Sequence, residues 1–243
     1  MENIMILHEN SETFRDAIRA ASDHLDIRDI FVEKDYWVTF ILKRLSKSEY
    51  SGNVVFKGGT SLSKVHKLIA RFSEDVDLAI LKSDSQTETQ VRVLIRRIEK
   101  EITSEFEEVN LEGITSKQTK YRKTAYNYDR LIETKTESGI QEKLILEINS
   151  FANPVPFERM PVDSLIAQYF NDTNNSVLID KYNLEPFTLN VLVLESTLIE
   201  KILSLIRLSF YEDSMDKLKS KVRHFYDIYF LSSSETCQDF LST

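Results

Sequence analysis

Apolar residues recur every three to four positions over two early segments, Phe14, Ile18, Ala21 and Leu25, then Val32, Trp37, Ile41 and Leu45. That spacing lays them along one side of a helix and predicts helices over 11–25 and 29–46. The pattern then changes. Asn53-Val54-Val55-Phe56 is a short β-prone run, Leu62, Val65, Leu68 and Ile69 return to helical spacing, and Asp75-Val76-Asp77-Leu78-Ala79-Ile80-Leu81 alternates with a period of two. A strand, a turn, a helix and a second strand are therefore expected over 53–81. A long helix follows at 86–108, strands are expected near 120–128, 143–150 and 187–193, and helices near 196–211 and 216–231. Asn153-Pro154-Val155-Pro156 interrupts the pattern, and Asn171-Asp172-Thr173-Asn174-Asn175-Ser176 reads as a loop. The mixture predicts an α+β fold, with a core over 1–155 and a mostly helical C-terminal lobe over 156–243.

The turn between the first strand and its helix, Lys57-Gly58-Gly59-Thr60-Ser61, has the size and chemistry of a phosphate seat. Glycines let backbone approach a ligand closely, a helix beginning at Thr60 or Ser61 turns N–H groups and its positive end toward the turn, and two hydroxyls add donors. Lys64 and Lys67 add positive charge. A plain tight turn with a capped helix fits the tetrapeptide as well, and neither GxxxxGK[ST] nor GxGxxG is present.

In the next strand, alternation sends Asp75 and Asp77 to one face and Val76, Leu78 and Ile80 to the other. A third acid, Glu147, stands among aliphatics in Lys143-Leu144-Ile145-Leu146-Glu147-Ile148-Asn149 and shares a face with Ile145 and Asn149. Carboxylates this close repel unless a cation lies between them, and hard oxygen donors suit Mg²⁺. If the strands are neighbours, the three acids would hold two ions roughly 3.5–4 Å apart. Solvated strand ends explain the same residues without any ion.

Composition narrows the class of protein. A chain of 243 residues, 42% hydrophobic and 29% charged, buries a sizeable core. Its single Cys237 has no internal partner, and it has neither a secretory leader nor an 18-residue apolar run, which points to the cytoplasm and away from a membrane. A net charge of −8 weighs against a general nucleic-acid binder. Lys117, Lys120, Arg122 and Lys123, interleaved with Tyr121, Tyr126 and Tyr128, still offer a local surface for RNA. His66 and His224 have no partners at zinc-ligand spacing.

Six blocks, in order, carry a resemblance: Val32-Glu33-Lys34-Asp35-Tyr36-Trp37, Phe56 to Lys64, Arg71-Phe72-Ser73-Glu74-Asp75-Val76-Asp77-Leu78, Leu146-Glu147-Ile148, Leu198-Ile199-Glu200-Lys201-Ile202, and Arg223 to Tyr229. In these the chain resembles the AbiEii/AbiGii-type nucleotidyltransferase toxins of the DNA polymerase β-like superfamily. The resemblance implies a mixed sheet flanked by helices and transfer of a nucleoside monophosphate from an NTP to an acceptor hydroxyl. It further implies an RNA acceptor such as a tRNA 3′ end, and a cognate antitoxin in a toxin–antitoxin or abortive-infection system. Asp75, Asp77 and Glu147 would hold Mg²⁺, Gly59 and Ser61 would seat the phosphates, Lys201 would reach the triphosphate, and Asp227 would orient the attacking or acceptor group. Members usually extend well past the last block, whereas fourteen residues follow Tyr229 here, so a short helical end is expected. Two other readings fit the residues: a nucleotide-binding module without turnover, and a protein that serves only in interactions.

Overall fold

The computed structural model describes residues 5–133 and 141–242. After a short 3-10 turn at Leu7–Glu9, α1 (Ser11–Leu25) and α2 (Asp29–Lys47) form where the apolar spacing places them, α1 being capped at Asn10, whose side chain accepts from the Thr13 amide. β1 (Val54–Lys57) leads into α3 (Gly58–Lys64), then come β2 (Asp75–Ile80), α4 (Glu88–Ile102), β3 (Glu108–Val109), β4 (Ser116–Lys117), β5 (Tyr121–Tyr126) and β6 (Leu144–Asn149). The remainder runs β7 (Phe157–Val162), α5 (Leu165–Asp172), α6 (Ser176–Lys181), β8 (Phe187–Leu192), α7 (Leu194–Ser209), α8 (Ser214–Ser220), α9 (Val222–Ser233) and α10 (Glu235–Leu241).

The strands make one mixed sheet in the order β3-β5-β6-β2-β1-β8-β7, with β4 paired to β5. β2 runs antiparallel to β1 and parallel to β6, while β8 joins β1 in parallel. Val54, Phe56, Val76, Leu78, Ile80, Leu144, Leu146 and Ile148 point to one face and enter the main core with α1, α2 and α4. Burying that face fixes register, because a slip of one residue would turn these aliphatics outward. The opposite face is therefore left with the other parity: Lys57, Asp75, Asp77, Lys123 and Glu147.

Three expectations change. The sheet crosses the boundary expected at 155/156, because β7 and β8 pair with each other and β8 pairs with β1; only the stretch from α7 onward is wholly helical among the described residues. α3 starts at Gly58 rather than Thr60 or Ser61 and ends at Lys64, and the chain turns away through Lys67 at φ 52°, a left-handed conformation that ends helical continuation. The helix expected at 216–231 is two, α8 and α9.

A smaller core of Leu62, Ile69, Leu198, Leu231 and Cys237 joins α3 to α7, α9 and α10. It brings the C-terminal helices against α3, whose first turn holds Gly58 and Gly59, so the elements carrying Lys201 and Asp227 flank the same region as the acid-bearing strands.

Candidate active site

Parallel pairing of β2 with β6 sets Asp77 opposite Glu147 and Asp75 opposite Ile145. Asp75, Asp77 and Glu147 thus share one face, and Lys123 on β5 lies opposite Glu147 on the other side. Burial, reinforced by the negative charges of Glu147 and Asp75, raises the Asp77 carboxyl well above the usual carboxylate range, against the weaker pull of Lys57 and Lys123. Lys123 Nζ is 3.5 Å from Glu147 Oε2, and the Tyr121 hydroxyl donates to the same oxygen at 3.1 Å. Among the described residues no three His, Cys, Asp or Glu side chains are gathered at metal-ligand spacing, so the acids share a face without closing into a cage.

The glycine turn lies directly beside them. Gly58 has φ +81°, and a Cβ added there would fall 2.2 Å from Asp77 Oδ2. A Cβ on Gly59 would meet Arg71 Nη2 at 2.6 Å and Ser73 Oγ at 2.9 Å. The two glycines are needed for different neighbours: one makes room for an acid, the next for a guanidinium.

Arg71 belongs to a second cluster. Its guanidinium forks onto Asp227 with two bonds of 2.7 Å, and Lys201 Nζ reaches Asp227 Oδ2 at 2.8 Å. The Asp227 side chain is fully buried. Burial alone would push its carboxyl up, but the hydrogen bonds from Arg71 and Lys201 outweigh that and hold it below the ordinary range. Two cations on one anion leave this side with a surplus positive charge. Nearby, burial and the charges of Lys201 and Lys221 lower the His224 imidazole to about 4.

The hydroxyls expected to face a phosphate are committed elsewhere. Ser61 is fully buried and donates to the Gly58 carbonyl at 2.9 Å, while Thr60 donates to the Asp75 carbonyl at 2.6 Å. They lock α3 to the turn and to β2, because a buried hydroxyl must find an acceptor. Lys57 forks onto Glu200 of α7 at 2.7 and 2.8 Å, tying the sheet to the C-terminal helices. Lys64 and Lys67 pair with Asp35 and Asp163.

The block Glu33-Lys34-Asp35 on α2 supports the site from beneath. Lys34, fully buried, donates to the carbonyls of Gln141 and Lys143 and lies 3.5 Å from Glu74, bracing the entries to both acid-bearing strands. Burial, opposed by the charges of Glu74 and Asp75, lowers its amine to about 8. Glu33 accepts the amides of Leu131 and Ile132, and Asp35 accepts from Lys64 and from the Leu165 amide.

Much of the expected basic and aromatic RNA surface is paired within the chain, Tyr121 lying instead against Glu147. Arg122 pairs with the buried Glu99, Lys117 with Glu108 and Lys120 with Glu88, and Tyr126 is buried in the core. Arg71 and Glu200 are neighbours of the site that residue patterns left without a role, although both stand in quoted blocks; nothing in the local spacing of Arg71 announces Asp227 as its partner, and Tyr121, expected on a surface for RNA, meets Glu147. A separate cavity of about 360 Å³, lined by Arg28, Phe31, Lys67, Arg71 and Phe72, contains none of the three acids. Among the described residues no helix is long and apolar enough to cross a membrane.

Comparison with known proteins adds a family. The model described as nucleotidyl transferase AbiEii toxin, type IV toxin–antitoxin system, matches residues 41–242. Curated protein sequences yield no match. Among solved structures, the chain is similar to MenT4, a nucleotidyltransferase toxin from Mycobacterium tuberculosis H37Rv, at 21% identity and a TM-score of 0.46, covering 77% of this chain. It spans 58% of that toxin's length. An antigenic nucleotidyltransferase-like protein from Paracoccidioides brasiliensis is 16% identical with a TM-score of 0.40, covering 86% of this chain and 85% of its own.

Proposed function

The chain belongs to the AbiEii nucleotidyltransferase toxin family, and from that premise we propose that it transfers a nucleoside monophosphate from an NTP to an acceptor hydroxyl. The observation that carries the reading is the glycine pair: Asp77 crowds Gly58 on one side and Arg71 crowds Gly59 on the other. A triphosphate laid over this turn has its negative oxygens toward Arg71 and Lys201 and its reacting phosphorus toward the acids.

The donor set fits a divalent cation. Three hard oxygen donors share one face, and burial, together with the charges of Glu147 and Asp75, raises the Asp77 carboxyl, a shift that a nearby positive charge opposes. Asp75, Asp77 and Glu147 would hold Mg²⁺, whose chemistry is to lower the pKa of an attacking hydroxyl and stabilise the leaving oxygen. The chain's own groups orient the reactants. Lys201 and Arg71 neutralise the phosphates, Asp227 fixes both cations, and the Gly58-Gly59 backbone permits close approach. The acceptor oxygen bonds to the α-phosphorus as the bridge to the β-phosphate breaks, pyrophosphate departs, and the acceptor proton passes to solvent.

On this reading the nucleotide seat is made by backbone and by Lys201, with Lys57, Thr60 and Ser61 shaping it. The stretch 1–155 supplies the acids, and 156–243 completes the site through Lys201 and Asp227. RNA, with a tRNA 3′ end among the acceptors, is the substrate class, and a separately encoded antitoxin opposes the activity. Incubation with labelled NTPs, Mg²⁺ and total RNA tests the reading. Label transfer by the parent, lost in Asp77→Asn, supports it; no transfer by the parent, or equal transfer by both, refutes it.

A further inference from the structure

Along the face that carries the acids, the residues fall in order across the middle of the sheet. Arg71 and Lys201 lie on the glycine-turn side, Asp75 and Asp77 follow on β2, Glu147 is next on β6, and Tyr121 lies beyond on β5. Tyr121 is attached to the acids by its hydroxyl, which donates to Glu147 Oε2 at 3.1 Å. Its ring stacks on Phe151, with centroids 5.8 Å apart and planes 20° from parallel.

Phe151 is 64% exposed, so one face of its ring is open to a ligand while the other lies on Tyr121. The loop that carries it is tied on both sides. The Ser150 amide donates to the Lys120 carbonyl on one side, and on the other the Asn153 amide side chain bonds both the N–H and the carbonyl of Lys82. An exposed aromatic ring on a loop pinned at both ends, stacked on a tyrosine that touches the third acid, is a surface prepared for another flat ring.

The direction of the chemistry says which ring. In phosphoryl transfer the attacking and leaving oxygens lie roughly in line on opposite sides of phosphorus. With the phosphates on the Arg71 and Lys201 side, the attacking hydroxyl enters from the Glu147 side, where Tyr121 and Phe151 stand. We propose that Phe151, backed by Tyr121, is the stacking platform for the terminal nucleobase of a single-stranded nucleic-acid acceptor. This deepens the proposed function, on which it rests, by naming the side chains on which the acceptor's terminal base is laid. Stacking tolerates any base, so the platform sets acceptor class and position rather than sequence.

The test compares Phe151→Ala and Phe151→Trp with the parent in three measurements. Removing the ring raises the acceptor KM on the order of tenfold with kcat little changed, the range expected for one lost base stack, and Trp restores it. Calorimetric affinity for a non-hydrolysable NTP analogue stays at the parent value. Fluorescence anisotropy with a short labelled single-stranded RNA falls in affinity for Phe151→Ala alone, a readout that needs no turnover and so survives failure of the transferase reading. An unchanged RNA affinity and acceptor KM overturn the proposal. A loss of NTP affinity in place of RNA affinity also overturns it, assigning the platform to the base of the NTP.

Discussion

The two halves of the site handle buried charge in opposite ways. On the cationic side, Asp227 is fully enclosed and doubly bonded, and its carboxyl is held below the normal range by Arg71 and Lys201. On the acidic side, Asp77 faces Glu147 and Asp75, and burial together with those charges raises it. One cluster is complete as it stands, whereas the other gains by receiving positive charge. Charges left in tension at one place and satisfied in the neighbouring cluster are what the proposed function, which needs a cation on one side and phosphates on the other, would use.

The comparison is broken most severely by changing the acids. Asp75→Asn or Asp77→Asn is expected to lower transfer by on the order of a hundredfold or more, measured as pyrophosphate release, because the charge that would hold the metal is lost. Breaking the completed side should cost stability instead. Asp227→Ala leaves two cations without their buried partner and is expected to cost about 3–5 kcal/mol in urea unfolding. Adding Lys201→Met to Asp227→Ala recovers part of that loss, since residues sharing a partner are not additive.

Gly58→Ala probes the boundary between the clusters. Its positive φ and the 2.2 Å approach to Asp77 Oδ2 predict a loss of about 1–3 kcal/mol. The same change in an Asp77→Ala background should cost less, because the carboxyl clash is gone and the backbone strain and a 3.0 Å approach to the Cβ of residue 77 remain.

The smallest effect is a pH dependence. His224 titrates at about 4 in the folded protein against 6.5 unfolded. The unfolded chain therefore takes up the proton first, and this contribution is fully present above 6.5 and is lost as pH falls toward 4. After allowance for the ring's partial exposure, a change on the order of 1 kcal/mol is expected. His224→Gln should flatten the melting temperature between pH 7 and pH 5 relative to the parent.

Much of the sheet was legible because alternation survives wherever one face is buried. The parity of Asp75, Asp77 and Glu147 follows from their aliphatic neighbours, and β2 and β6 are found where the runs place them. Strand β7 was not legible: Phe157-Glu158-Arg159-Met160-Pro161-Val162 carries charge and a proline, as an edge strand does. Nor was the split near Lys221, where no glycine or proline marks the break between α8 and α9.

For the site, residue types pointed to the acids and the turn, but not to who holds whom. Thr60 and Ser61 look like phosphate donors until the fold closes over them and supplies backbone acceptors. Arg71 looks like any cation before a strand until α9 delivers Asp227 from 156 residues away. Glu33, Lys34 and Asp35 sit in an ordinary amphipathic helix, and their work is done on loops that one-dimensional spacing does not connect to them. Distances along the chain decide parity and turns; pairings between distant segments emerge only with the sheet order.

The contrast between the two clusters is tested most directly by thermal melting of the parent and Asp77→Asn with and without MgCl₂. If the acidic side is in tension, Asp77→Asn melts higher than the parent without Mg²⁺, and Mg²⁺ raises the parent's melting temperature but not the variant's. A variant that melts lower than the parent without Mg²⁺, together with equal Mg²⁺ shifts in both proteins, would contradict it.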